Sequence, residues 1–87
     1  MRINHKQQEL IDFLFNMAKE KFPGIKLKRL LENPDDFEHI LIDIYAPFND
    51  QTEEEFRSFV AELEADIHTD YGYRISFMID NPNLVHL

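Results

Sequence analysis

No cysteine occurs among the 87 residues. That excludes disulfides, thiolate nucleophiles and cysteine-ligated zinc as sources of stability or chemistry. Glycine occurs twice and proline four times, which leaves no phosphate-cradling glycine-rich loop, no linker and no low-complexity segment. The longest mid-chain apolar run is broken by Asp43, far short of the ~20 residues that a membrane helix needs. The opening Met1-Arg2-Ile3-Asn4-His5-Lys6 lacks the apolar stretch of a signal peptide. The expectation from these absences is a soluble, cytoplasmic protein with no membrane partner.

Apolar residues make up 44% of the chain, against a formal net charge of -8. That balance belongs to a globular chain rather than a disordered one. The length fits one small domain over residues 1–87, with 84–87 read as a tail. The scarce Gly and Pro residues act as punctuation. They mark breaks at Phe22-Pro23-Gly24, Asn33-Pro34-Asp35-Asp36, Ala46-Pro47-Phe48, Tyr71-Gly72 and Asn81-Pro82-Asn83.

Between those breaks the hydrophobic period changes. From Asn4 to Lys21, Leu10, Phe13, Leu14, Met17 and Ala18 follow helical spacing, with Asn4 as N-cap and Gln7 as its reciprocal partner. Ile11, Phe15 and Phe22 widen that stripe beyond what one contact with a sheet requires. Ile25 to Leu31 alternates as a strand, faltering at Leu30-Leu31, where a bulge or the strand end is expected. Phe37 to Ala46 alternates strictly, with Ile40, Ile42 and Ile44 on one face and Phe37, His39, Leu41, Asp43 and Tyr45 on the other. The short turn before it makes the pair an antiparallel hairpin.

Thr52-Glu53-Glu54-Glu55 reads as a capping box with Thr52 as N-cap, opening a second helix that carries Phe56, Phe59, Val60, Leu63 and Ile67 and closes at Gly72. Tyr73 to Asp80 is a third strand, with Arg74, Ser76 and Met78 opposite Tyr73, Ile75, Phe77 and Ile79. A helix between the second and third strands makes those two parallel. The predicted fold is therefore α+β: a two-layer α-β-β-α-β sandwich with a three-stranded mixed sheet and both helices on one face. Such a sheet keeps one face that nothing in the chain covers, and two edges that could accept a strand.

The uncovered face carries Phe37, Leu41, Tyr45 and Met78 as apolar anchors beside Lys26, Lys28 and Ser76, with His39, Asp43 and Arg74 as polar neighbours that set register. Apolar side chains grouped on a small protein usually meet a partner. The leading reading is thus a non-catalytic interaction or regulatory module that docks a protein or a second copy through this face, with a homodimer expected. Asp43, flanked by isoleucines, is expected to pair with Arg74 or His39.

Charge is distributed unevenly. Residues 1–29 hold seven Lys/Arg against three Asp/Glu, and residues 30–87 hold two against fourteen. Lys19, Lys21, Lys26, Lys28 and Arg29 form a candidate basic patch, which gives nucleic-acid binding as an alternative function. A net charge of -8 opposes it. The α-β-β-α-β order resembles, in topology alone, the α-β-β-α-α-β order of type II KH domains. The GxxG loop of that family cannot form from Gly24 and Gly72, and one helix is absent. The acidic side chains of the second helix, Glu53 to Asp70, together with Asp35, Asp36 and Glu38, could enter a partner's basic groove. They serve equally as solubilising and capping groups.

Catalytic and metal constellations are thin. His39 and Asp43 are four residues apart on a strand, ~13 Å by strand rise. His68 has only Glu64 one turn before it. Neither Ser58 nor Ser76 sits in a nucleophile elbow. A metal-dependent enzyme built on His39, Asp43 and His68 is the remotest reading, and no cofactor or metal is expected.

Overall fold

The computed structural model describes residues 2–80. Five elements follow in the order α1 (His5–Lys21), β1 (Lys26–Asn33), β2 (Asp36–Tyr45), α2 (Asp50–Tyr71) and β3 (Arg74–Asp80). The expected break at Asn81-Pro82-Asn83 and the tail at 84–87 lie outside the described residues. The sheet order is β1-β2-β3, with β1 antiparallel and β3 parallel to the central β2.

Helix α1 begins where its side chains allow. Asn4 Oδ1 accepts the Gln7 N–H at 2.7 Å and Gln7 Oε1 accepts the Asn4 N–H at 2.9 Å, which satisfies two of the first-turn donors. Lys19 and Lys21 lie in the last turn, where they complement the helix dipole. Helix α2 starts earlier than its Thr-Glu-Glu-Glu run suggests. Its N-cap is Asn49, whose Oδ1 accepts the Thr52 N–H at 2.8 Å, so Thr52 is the third helical residue and not the cap. Asn caps a helix as well as Thr does, and capping at Asn49 adds most of a turn of backbone hydrogen bonds. Gly72 closes α2 in the left-handed region at φ 76°, with its N–H donating to the His68 carbonyl.

One cluster of buried side chains joins the layers. Leu10, Ile11, Leu14 and Ala18 from α1 and Phe56, Val60 and Ile67 from α2 pack on Ile40, Ile42, Ile44, Ile75 and Phe77. The register sets this up. Ile40 pairs with Ile75, Ile42 with Phe77 and Ile44 with Ile79, so the apolar rows of β2 and β3 coincide beneath the helices. Phe22 and Phe48, each beside a chain break, close one end. Phe22 meets Phe56 at a 5.1 Å centroid separation and Phe48 at 5.6 Å, and Phe56 meets Phe77 edge-on at 5.4 Å.

Strand β1 departs from simple alternation. Its register against β2 shifts between Leu27 and Arg29, and again between Glu32 and Asn33. The first irregularity therefore falls at Lys28, not at Leu30-Leu31. An extra residue there returns Leu30 to the helical side opposite Ile42 and brings Arg29 opposite Asp43. Beyond the second shift, Phe37 precedes the first β2–β3 pair, His39 with Arg74. No helix among the described residues is long and apolar enough to cross a membrane.

Candidate interaction face

The face away from the helices is organised around the middle of β2. Asp43 pairs with Arg29 on one side and Met78 on the other. Leu41 lies between Leu31 and Ser76, and Tyr45 between Lys26 and Asp80. The sheet thus brings Leu41, Asp43, Tyr45 and Met78 together, with His39 and Arg74 one row further along. Phe37, 76% exposed, stands at the rim outside the paired rows.

Asp43 is 3% exposed. A carboxylate so placed needs a partner, and it takes Arg29, whose Nε donates to Oδ2 at 3.1 Å. The expected partners, Arg74 and His39, are engaged elsewhere. Arg74 donates to Asp36 Oδ2 at 2.6 Å, and His39 lies between Asn33 and Ser76 at 3.1 and 2.8 Å. The bulge at Lys28 explains the difference, because only the shifted register puts a guanidinium beside Asp43.

Two apolar side chains, Tyr45 and Met78, flank that ion pair, each 44% exposed. Lys28 spans the sheet above Tyr45. Its Nζ stands 5.1 Å from the ring centroid and donates to Asp80 Oδ2 at 3.0 Å, joining β1 to β3 over β2. The hydrogen bond to Asp80 holds the Lys28 ammonium above its ordinary value of 10.5.

The basic residues read from the sequence divide between roles. Lys19 donates to the carbonyls of Ile25 and Pro23 at 2.6 and 3.3 Å, holding the α1–β1 turn. Lys21 stands 4.7 Å from the Phe59 ring centroid on the helical layer. Lys26, Lys28 and Arg29 belong to the sheet, with Lys28 and Arg29 paired to carboxylates.

His39, Ser76, Glu64, His68 and Arg74 border one shallow cleft of about 230 Å³ beside β3. The Asn33–His39–Ser76 chain resembles a hydrolytic triad in outline, but its polarity is reversed. Asn33 Oδ1 accepts the Asp35 N–H at 2.9 Å, so the Asn33 amide nitrogen donates to His39 Nδ1. The proton then lies on Nε2 and points at Ser76 Oγ, whereas a general base must accept there. Glu64 is occupied as well, because its Oε2 accepts the Phe77 N–H at 2.8 Å on the outer edge of β3. Burial raises the Glu64 carboxyl above 4.5, against the lowering effects of that hydrogen bond and of Arg57. Among the described residues no three His, Asp or Glu side chains converge as metal ligands, and no buried side-chain nitrogen or oxygen lacks a partner.

The alternation of β1 placed Lys28 on this face but did not show its bridge to Asp80, and it missed Arg29 as a member, since that placement depends on the bulge. Sequence reasoning also missed a groove between the helices, where Phe13, read in one stripe with Leu10 and Leu14, is exposed while those two are buried. No family model, curated protein or solved structure matches this chain.

Proposed function

We propose that this chain is a non-catalytic interaction module that associates with a second copy of itself through the open face of its sheet. The observation that carries the reading is the setting of Asp43: a buried, Arg29-paired carboxylate between two half-exposed apolar side chains, Tyr45 and Met78. A charged group fixed at the centre of an apolar patch gives an interface its register.

Charge favours a second copy as the occupant. Across this face Lys26, Lys28, Arg29 and Arg74 stand among Asp36, Asp43 and Asp80, so it is close to neutral on a chain of net charge -8. Two such chains repel over most of their surfaces and least here. A face carrying both signs is also self-complementary about a two-fold axis. The nucleic-acid alternative draws less support, because Lys19, Lys28 and Arg29 already serve partners within the chain.

The test is mass in solution by analytical ultracentrifugation. The wild type is expected to sediment above monomer mass, and Leu41→Asp/Tyr45→Asp to sediment as monomer with an unchanged helical circular dichroism signal. Leu41 is half-buried, so Tyr45→Asp/Met78→Asp, at two exposed positions, provides a second variant that spares the fold. A monomeric wild type, or folded variants that keep the higher mass, would overturn the proposal.

A further inference from the structure

The helical layer carries a second surface that the sheet face does not explain. The ridge Lys6, Glu9, Leu10 and Phe13 on α1 runs beside Leu63, Asp66, Ile67 and Asp70 on α2, and a groove of about 390 Å³ lies between them. Both ridges follow i, i+3, i+4, i+7 spacing, so the groove is two helical turns long, about 11 Å. Its floor is the buried pair Leu10 and Ile67, and its walls include Phe13 and Tyr71, 48% and 49% exposed. The rim is acidic on both sides, with Glu9 on α1 and Asp66 and Asp70 on α2.

Two details argue that this groove suits a cation beside apolar contacts. First, the chain's own lysine already occupies one end. Lys6 Nζ stands 4.9 Å from the Tyr71 ring centroid and 3.3 Å from Glu9 Oε2, an ammonium held by a ring face and a carboxylate. Further along the same helix pair, Lys21 repeats the arrangement over Phe59, beside Glu54, Glu55 and Glu62. Secondly, Asp70 lies in the last turn of α2, where negative charge opposes the helix dipole. Helix stability would favour a cation there, so the Asp70 carboxylate is set against the stability of its own helix.

We infer that the α1–α2 groove docks a basic amphipathic helix of a partner protein. Its apolar stripe would lie on Leu10, Phe13 and Leu63 between the two ridges, and its flanking Lys or Arg side chains would meet Asp66 and Asp70, because Glu9 is already held by Lys6 and His5. This is the helix-in-groove mode of recognition, in which anchors repeat at i, i+3 or i+4. The surface is separate from the sheet face, and the inference does not depend on self-association there.

The probe is a fluorescein-labelled Leu/Lys peptide of about 14 residues, long enough to hold a helix when bound, with leucines at helical spacing. Its controls are a scramble of the same composition and a Leu/Glu counterpart. Anisotropy is expected to show saturable binding of the patterned Leu/Lys peptide alone. Amide shift changes in 1H–15N spectra should be confined to residues 6–13 and 63–71. Asp66→Lys/Asp70→Lys should weaken binding about tenfold or more, with an unchanged helical circular dichroism signal, so that loss of fold cannot account for the result. Phe13→Ser should weaken it comparably, and Tyr45→Asp on the sheet should leave it unchanged. Equal binding of the scramble, shifts centred on the sheet, or indifference to the groove substitutions would each overturn the inference. So would shifts at these residues that grow with protein concentration alone, which would make the occupant a second copy.

Discussion

The side-chain amide of Asn33 donates to Nδ1 of His39 over 3.1 Å, and this contact decides which ring nitrogen carries the proton. The amide cannot turn around without losing the Asp35 N–H, which holds Oδ1 at 2.9 Å. Neutral His39 is therefore the Nε2–H tautomer, and nitrogen shifts of the labelled neutral ring should report it. Asn33→Asp replaces the donor by an acceptor, so the proton should move to Nδ1 and leave Nε2 facing the Ser76 hydroxyl as an acceptor. An Nδ1–H ring in the unsubstituted protein would contradict the assignment.

Arg29→Met should expose the cost of leaving the Asp43 carboxylate buried without its partner. Breaking a fully buried ion pair costs about 3–5 kcal/mol. Here the Arg29 side chain is mostly exposed, and a loss of about 1–3 kcal/mol is expected. Asp43→Asn, which removes the charge along with the need to pair it, should cost less. Urea midpoints at constant slope provide the comparison. Equal losses for the two variants would show that the ion pair is not what stabilises this part of the sheet.

Glu64 should make stability depend on pH in the direction opposite to a paired surface carboxylate. Burial raises its folded pKa above 4.5, so the folded state disfavours the ionised form. Well below 4.5 the carboxyl is protonated in both states and nothing is lost. As pH rises through that value and past the folded one, the penalty grows to its full size. Glu64→Gln keeps an acceptor for the Phe77 N–H and removes the penalty, so its stability relative to wild type should improve between about pH 4.5 and 7. Glu64→Ala removes the acceptor and should cost about 1 kcal/mol. A Gln variant less stable than wild type at neutral pH would refute the burial argument.

The start and end of α2 can be separated by three substitutions. Asn49→Ala should cost about 1 kcal/mol, and Thr52→Ala only a few tenths, since Thr52 is not the cap. Gly72→Ala should cost about 1 kcal/mol, because φ is 76° there and no neighbour obstructs the added methyl. Thermal midpoints in one buffer would rank the three. A larger loss at Thr52 than at Asn49 would return the cap to the Thr-Glu-Glu-Glu run.

The elements that were legible in the sequence are those in which one local signal suffices. Asn4 with Gln7 marks the start of α1. The period-two rows Ile40, Ile42, Ile44 and Ile75, Phe77, Ile79 define β2 and β3, and Gly72 ends α2. The layered α+β architecture follows from these. The bulge at Lys28 was not legible, because Lys-Leu-Lys-Arg alternates equally well in either register, and only pairing with β2 selects one. The partner of Asp43 depended on that choice. The cap of α2 was ambiguous because Asn49 and Thr52 both offer an acceptor, and backbone geometry after Pro47 decides between them. The interhelical groove needed the relative placement of two helices, which no single segment encodes.

The strand order β1-β2-β3 also fixes a history for each molecule. During synthesis β1 and β2 can zip together across their two-residue turn as soon as both have emerged, but β3 must wait for the 22 residues of α2. Until it arrives, the row Ile40, Ile42 and Ile44 has a neighbour on one side only and a bare edge on the other. A chain stopped before Arg74 would keep that edge for good. Such a fragment should aggregate, and the strand that follows α2 is the one that renders the earlier part of the sheet safe.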